Sequence, residues 1–209
     1  MTKMKDTKKI VVGISGASGA VLGQRLVRFL LEYGHEVDAV LSAGATAVFK
    51  EELGIDLGGG FKEIRKNFLK IYKNNPCLSL SPADDFAAKI SSGSAKIDAM
   101  VVMPCSMSTV GAIANGITMN LIHRAASVCL KEKRLLILVP RESPLSPIHL
   151  RNLLRLSEIG VHIVPATTAF YHRPKTVEAM VDFTVGRVLD LLKIEHRLFN
   201  RWREGSTAE

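Results

Sequence analysis

The chain lacks most of the signatures that announce a function class. No apolar run reaches the roughly 20 residues a membrane span requires, and the N-terminus MTKMKDTKKI is too polar, and enters a strand too soon, for a secretory signal. A cytoplasmic protein with no membrane partner is expected. Cysteine is scarce: Cys77, Cys105 and Cys129 are odd in number and form no CxxC pair, which predicts reduced thiols instead of a disulfide framework. The six histidines show no HxxxH or HExxH spacing, so no metal site is expected. A GxSxG elbow is also absent, which disfavours a serine hydrolase.

Acidic residues are outnumbered, 20 against 28 Lys and Arg, giving a net charge of +8. That excess would suit nucleic acid, but much of it lies in Lys3, Lys5, Lys8 and Lys9 and in Lys62, Arg65, Lys66, Lys70 and Lys73. The segment FKEIRKNFLKIY interleaves the latter group with Phe68, Leu69, Ile71 and Tyr72 at helical spacing, the pattern of an amphipathic surface helix. No nucleic-acid partner is therefore expected, and anionic small ligands are the other outlet for the charge.

The 209 residues, 47% hydrophobic and 23% charged, predict one globular domain with a basic tail at 1–8, an excursion holding one helix at 55–96, and a tail at 203–209. Runs rich in Val, Ile and Leu at 9–14, 36–42, 98–104, 134–140 and 160–166 read as strands, and helical periodicity marks 21–33, 109–115, 120–131 and 148–159. Ser146-Pro147 predicts a helix start, and Thr176 caps a last helix running to Leu192. Alternating elements with nearly continuous apolar strands imply an α/β fold, a doubly wound parallel sheet covered on both faces.

In such sheets ligands bind beyond the carboxyl ends of the strands. The first strand ends in Ser15-Gly16-Ala17-Ser18-Gly19, where Gly13, Gly16 and Gly19 give Gly-x-x-Gly-x-x-Gly instead of the dinucleotide spacing, and no acidic residue ends the second strand. Ordinary NAD binding is disfavoured. The loop reads either as a tight turn or as a cradle whose free backbone N–H groups, with the hydroxyls of Ser15 and Ser18, hold one phosphate or carboxylate. Ser106, Ser108 and Thr109 after the third strand exceed what a simple cap needs. Cys105 beside them has no histidine partner in sequence and reads as an inert thiol. Arg124 and Lys131 lie seven apart on one helix face, Arg141 and Glu142 end the fourth strand, and Arg187 sits in the last helix. Serine-rich loops and a basic cluster together suggest two phosphorylated ligands meeting. The single Trp202 is expected to pack on the body or on a neighbouring subunit.

The stretches GISGASGA, LS at 41–42, SGS at 92–94, MPCSMST, NLIHRAASVCLKEKR, LVPRESPLSPIHLRNLLRLSEIGV, FYHRP and VDFTVGRVLDLL resemble the UbiX/Pad-type flavin prenyltransferases, within the wider flavin-binding, cysteine-decarboxylase-like group. The resemblance implies a flavodoxin-like sheet, reduced FMN as prenyl acceptor, and a dodecamer with sites at subunit interfaces. It implies transfer of a dimethylallyl group from dimethylallyl phosphate to N5 and C6 of the flavin, making prenylated FMN for UbiD-type decarboxylases. Gly16, Ala17, Ser18, Ser42, Ser106, Met107, Ser108, Thr109 and Arg141 then correspond to the flavin site. Ser92, Arg124, Lys131, Tyr171, Arg187 and Trp202 correspond to the prenyl-phosphate site, and Ser18, Glu52, Lys131 and Glu142 to the groups assisting phosphate departure and proton transfer. Met119, His123 and Ser127 depart from the family pattern. Two other readings are a flavin-dependent cysteine decarboxylase of the same fold, which is expected to carry a histidine where this chain has Val21, and a non-catalytic FMN carrier, which would not need the basic cluster.

Overall fold

The computed structural model describes residues 7–202, so Lys3, Lys5 and the tail at 203–209 lie outside the described residues. Its elements run β1 (Lys9–Ile14), α1 (Ala20–Glu32), β2 (Glu36–Leu41), α2 (Ala43–Leu53), α3 (Phe61–Ile71), β3 (Leu78–Ser81), a 3-10 turn (Lys89–Ser91), β4 (Ala99–Cys105), α4 (Met107–Ala114), α5 (Leu121–Lys131), β5 (Leu135–Pro140), α6 (Pro147–Glu158), β6 (His162–Ile163) and α7 (Val177–Leu191). All strand pairs are parallel, and the sheet order is β3-β2-β1-β4-β5-β6. The five strands expected from sequence run in flavodoxin order; β3, inside the 55–96 excursion, adds a sixth at the edge.

Strand alternation divides the core. Ile10, Val12, Ile14, Val101, Met103, Ile137 and Val139 face one layer, where α1 and α7 pack with Phe49 of α2 and Phe68 of α3. Val11, Met100, Val102, Leu136 and Leu138 face the other, covered by α4, α5 and α6. All seven residues of β4 are buried, because this central strand is covered on both faces.

The helix starts follow their local chemistry. Ser106, Asn120, Ser146 and Thr176 each accept a backbone N–H from the third helical residue, and Pro147 opens α6, where a missing N–H loses no bond. α4 begins two residues earlier than its periodicity predicts, because Ser106 supplies the cap. β6 is much shorter than the expected 160–166: Pro165 has no N–H to give, although Val164 and Ala166 continue the pairing by donating to the carbonyls of Leu138 and Pro140.

Candidate active site

The strand order reverses between β1 and β4, and the loops leaving these two strands are tied together there. Ser15 is buried; its hydroxyl donates to the Pro104 carbonyl at 2.9 Å and accepts the Ser106 N–H at 2.7 Å. The expectation that Ser15 offers its hydroxyl to a ligand is therefore corrected: it is spent on joining the loops. Gly16 meets Gly44 in the first turn of α2 so closely that a Cβ on either would stand 3.0 or 3.1 Å from the other's Cα. Bare backbone on both sides is what this contact requires.

The N-terminus of α1 is occupied by the chain itself. Glu52, near the end of α2, accepts the Gly19 N–H at 2.8 and 3.1 Å and the Ala20 N–H at 2.9 Å, so of the two readings of this loop, tight turn or cradle, these two N–H groups are not free for a cradle. Gly19 stands at φ +106°, closed to ordinary side chains. Burial pushes the Glu52 carboxyl up, but a hydrogen bond from Ser18, those from Gly19 and Ala20, and the charge of Arg141 outweigh it and hold the group below the usual carboxylate range. Ser18, Glu52 and Arg141 are thereby gathered at one point beyond the strands.

Around it, Ser106 is half-buried and its hydroxyl contacts those of Ser108 at 2.9 Å and Thr109 at 3.0 Å. Ala17, Met107 and Thr109 are buried, while Gly16, Ser18, Ser108, Arg141 and Glu142 are exposed and Ser42 is half-buried. The exposed hydroxyls and guanidinium, on backbone that glycine keeps thin, fit a phosphate-bearing heterocycle such as FMN.

The remaining candidates form two groups. Arg124 donates to the Ser91 carbonyl at 3.1 Å, Arg134 donates to the Gly93 carbonyl, and Lys131 lies against Gly93 while pairing with Glu132 at 2.7 Å, so the turn carrying Ser92 is wrapped by cations of α5 and of the turn that follows it. On the opposite face of the sheet, Arg187 of α7 pairs with Asp190 at 2.9 Å, and Asp190 also receives Arg201 and His196. Tyr171 stands edge-on to Trp202 at 5.2 Å and to Phe183 at 6.0 Å. One chain therefore does not bring Ser92, Arg124 and Lys131 to Tyr171, Arg187 and Trp202. Because α5 leads back to the start of β5 at Leu135, Lys131 at its end stands about 15 Å along the helix from its start, toward the amino ends of the strands, whereas Ser18 lies beyond the carboxyl end of β1.

Cys105 and Cys129 are buried, and burial pushes both thiols up, Cys129 to about 11. The departures at Met119 and His123 have a local role: Asn120 caps the His123 N–H, and His123, buried and held toward its neutral form, accepts the Met119 N–H through Nδ1. Sequence reading missed Ser15 as a lock, although a serine at a buried strand end is the visible signal.

A family profile described as Flavoprotein matches residues 1–194. The flavin prenyltransferase UbiX of Methanocaldococcus jannaschii is 46% identical over 194 residues, 93% of this chain and 98% of that protein. The crystal structure of AnUbiX (PadA1) in complex with FMN and dimethylallyl pyrophosphate aligns with a TM-score of 0.84 at 38% identity, covering 96% of this chain and all of that one. A dodecameric FMN-dependent UbiX-like decarboxylase from Escherichia coli O157:H7 aligns with a TM-score of 0.82 at 41% identity, covering 93% of this chain and 99% of that one.

Proposed function

The chain belongs to the Flavoprotein family and, within it, to the UbiX flavin prenyltransferases, and from this we propose that it transfers a dimethylallyl group from dimethylallyl phosphate to reduced FMN. The observation that carries the proposal is the convergence of Ser18, Glu52 and Arg141 where the strand order reverses. FMN, held by the loops bearing Gly16, Ser18, Ser42, Ser106, Ser108 and Arg141, supplies the carbon and nitrogen nucleophiles. The donor's C–O bond breaks with its electron pair leaving on phosphate, so the site must neutralise that charge and keep water from the allylic cation.

Arg124, Lys131 and Arg187 provide the positive charge, Arg as a fork and Lys as a point charge. The Tyr171 ring, with Trp202 beside it, offers a π face to the cation. The Ser18 hydroxyl, bonded to an ionised Glu52, exchanges a proton between the reacting face and that carboxylate, and exposed Glu142 takes a second proton role once the site is covered.

Because Ser92, Arg124 and Lys131 lie on another face from Tyr171 and Arg187, the complete site is built from more than one copy of the chain. Ile148, Leu150 and Leu154 of α6, 66%, 52% and 60% exposed, supply apolar surface for such an assembly, and a dodecamer is the arrangement proposed. The product serves a UbiD-type decarboxylase in the cytoplasm; among the described residues no helix is long and apolar enough to cross a membrane.

The test is incubation of the protein with reduced FMN and dimethylallyl phosphate or diphosphate, followed by mass spectrometry. A flavin heavier by one prenyl unit is expected. Flavin binding without that adduct would turn the reading to an FMN carrier.

A further inference from the structure

We propose that His172 is a further binding residue for the prenyl donor, supplying an imidazole N–H to its phosphate beside Arg187; this rests on the function proposed above. Among the described residues, Nδ1 and Nε2 of His172 are both buried and neither has a hydrogen-bond partner. A neutral imidazole carries one donor and one acceptor, and leaving both unmet in the folded chain is the exception among buried polar atoms. Their partner is therefore sought outside the chain as it stands.

The surroundings say which partner. The His172 ring stacks on Phe183, centroids 5.1 Å apart and planes 10° from parallel, and meets Tyr171 edge-on at 5.6 Å. Phe183 and Arg187 are four residues apart on α7, hence on one face, and both line a cavity of about 340 Å³. His172 thus lies one ring behind the wall of a cavity that already holds a guanidinium. The packing that seals it comes from Tyr171 and from the C-terminal segment, where Phe199 stands 6.4 Å from His172 and Trp202 stands 5.2 Å from Tyr171. That segment is seated on Gly186, where a Cβ would come within 2.5 Å of the Phe199 ring. A phosphate reaching His172 from that cavity must displace the Phe183 ring, which meets Tyr171 edge-on as Tyr171 meets Trp202, so binding is coupled to a change at the chain's one tryptophan.

The experiment uses the full chain with dimethylallyl phosphate and, separately, inorganic phosphate, following Trp202 fluorescence without flavin and steady-state adduct formation with it. Wild type is expected to give a saturable fluorescence change. His172→Phe keeps the stacking ring and removes both nitrogens; its half-saturation and its KM for the donor should rise about tenfold or more, the scale of one hydrogen bond to a charged group, with kcat little changed. His172→Asn, which restores an N–H without the ring, should recover part of the affinity. Bound FMN and an unaltered unfolding transition establish that each variant is folded, and if His172→Phe does not fold, the Asn variant and His172→Gln carry the comparison against His172→Ala. Titration of His172→Phe like wild type, or no fluorescence response in a wild type that makes the adduct, overturns the proposal. If wild type makes no adduct, the prenyl-transfer reading fails separately, and loss of the inorganic phosphate response in His172→Phe still decides the role of His172.

Discussion

Glu52 grips Gly19, its carboxylate taking one backbone N–H with both oxygens at the first turn of α1. A negative charge at a helix N-terminus complements the helix dipole, so the end that would otherwise attract a ligand phosphate is already neutralised. A ligand phosphate must find its cations elsewhere, and the exposed Ser18 is left bonded to the carboxylate.

Glu52→Gln should keep one acceptor and lose the charge. We expect a loss of no more than about 1 kcal/mol in chemical denaturation at neutral pH, since the carboxylate is exposed enough to be screened, and a fall in adduct formation of about a hundredfold or more if Glu52 works with Ser18. The folded-state carboxyl is held below its usual range, so its contribution is present above that range and is lost as pH falls through the lowered value. Denaturation midpoints measured downward from neutral pH should show this loss in wild type and a flatter response in the variant.

Gly16→Ala and Gly44→Ala each drive a methyl into opposing backbone that has no rotamer to yield. Each should destabilise the chain by about 1–3 kcal/mol and weaken FMN retention, read from denaturant midpoints and from flavin absorbance after gel filtration. A variant that retains flavin as wild type does would show that the loop after β1 and the start of α2 can separate without harm to the site.

Ser18→Ala and Lys131→Ala should each be inactive alone yet recover part of the adduct formation when co-expressed as mixed oligomers. The expectation follows from the distance of Lys131 along α5 from its own chain's Ser18. Mixed assemblies as inactive as their parents would place both residues in one chain's site.

Thiol titration of the native protein should modify Cys77 alone, with all three cysteines reacting after denaturation. Burial disfavours the thiolate at Cys105 and Cys129, so native-state reaction at either would contradict the inert role assigned to them.

The parallel sheet was legible because β1, β4 and β5 are apolar on both faces and are runs of six or seven residues, too short for most buried helices and bounded by turn-forming residues. β3 was not, since Leu78-Ser79-Leu80-Ser81 is four residues long and alternates with serine as an edge strand does. α2 was hidden too: only Ala45 and Phe49 are buried, too thin a stripe for periodicity to register. At the site, hydroxyls and glycines at strand ends could be read directly. Their assignments could not, because whether Ser15 faces a ligand or a neighbouring carbonyl depends on Pro104, 89 residues away. Glu52 was singled out by family resemblance alone; its grip on α1 depends on how α2 folds back.

Both margins of the sheet are blunt. β6 is two residues long, its pairing carried on only by the Val164 and Ala166 N–H groups on either side of Pro165, and β3 pairs through four residues, with the Ser79 hydroxyl held by Asp38 of β2. Short margins make poor templates for a strand from another molecule. Growth by open-ended strand addition, the route to fibres, is thereby discouraged.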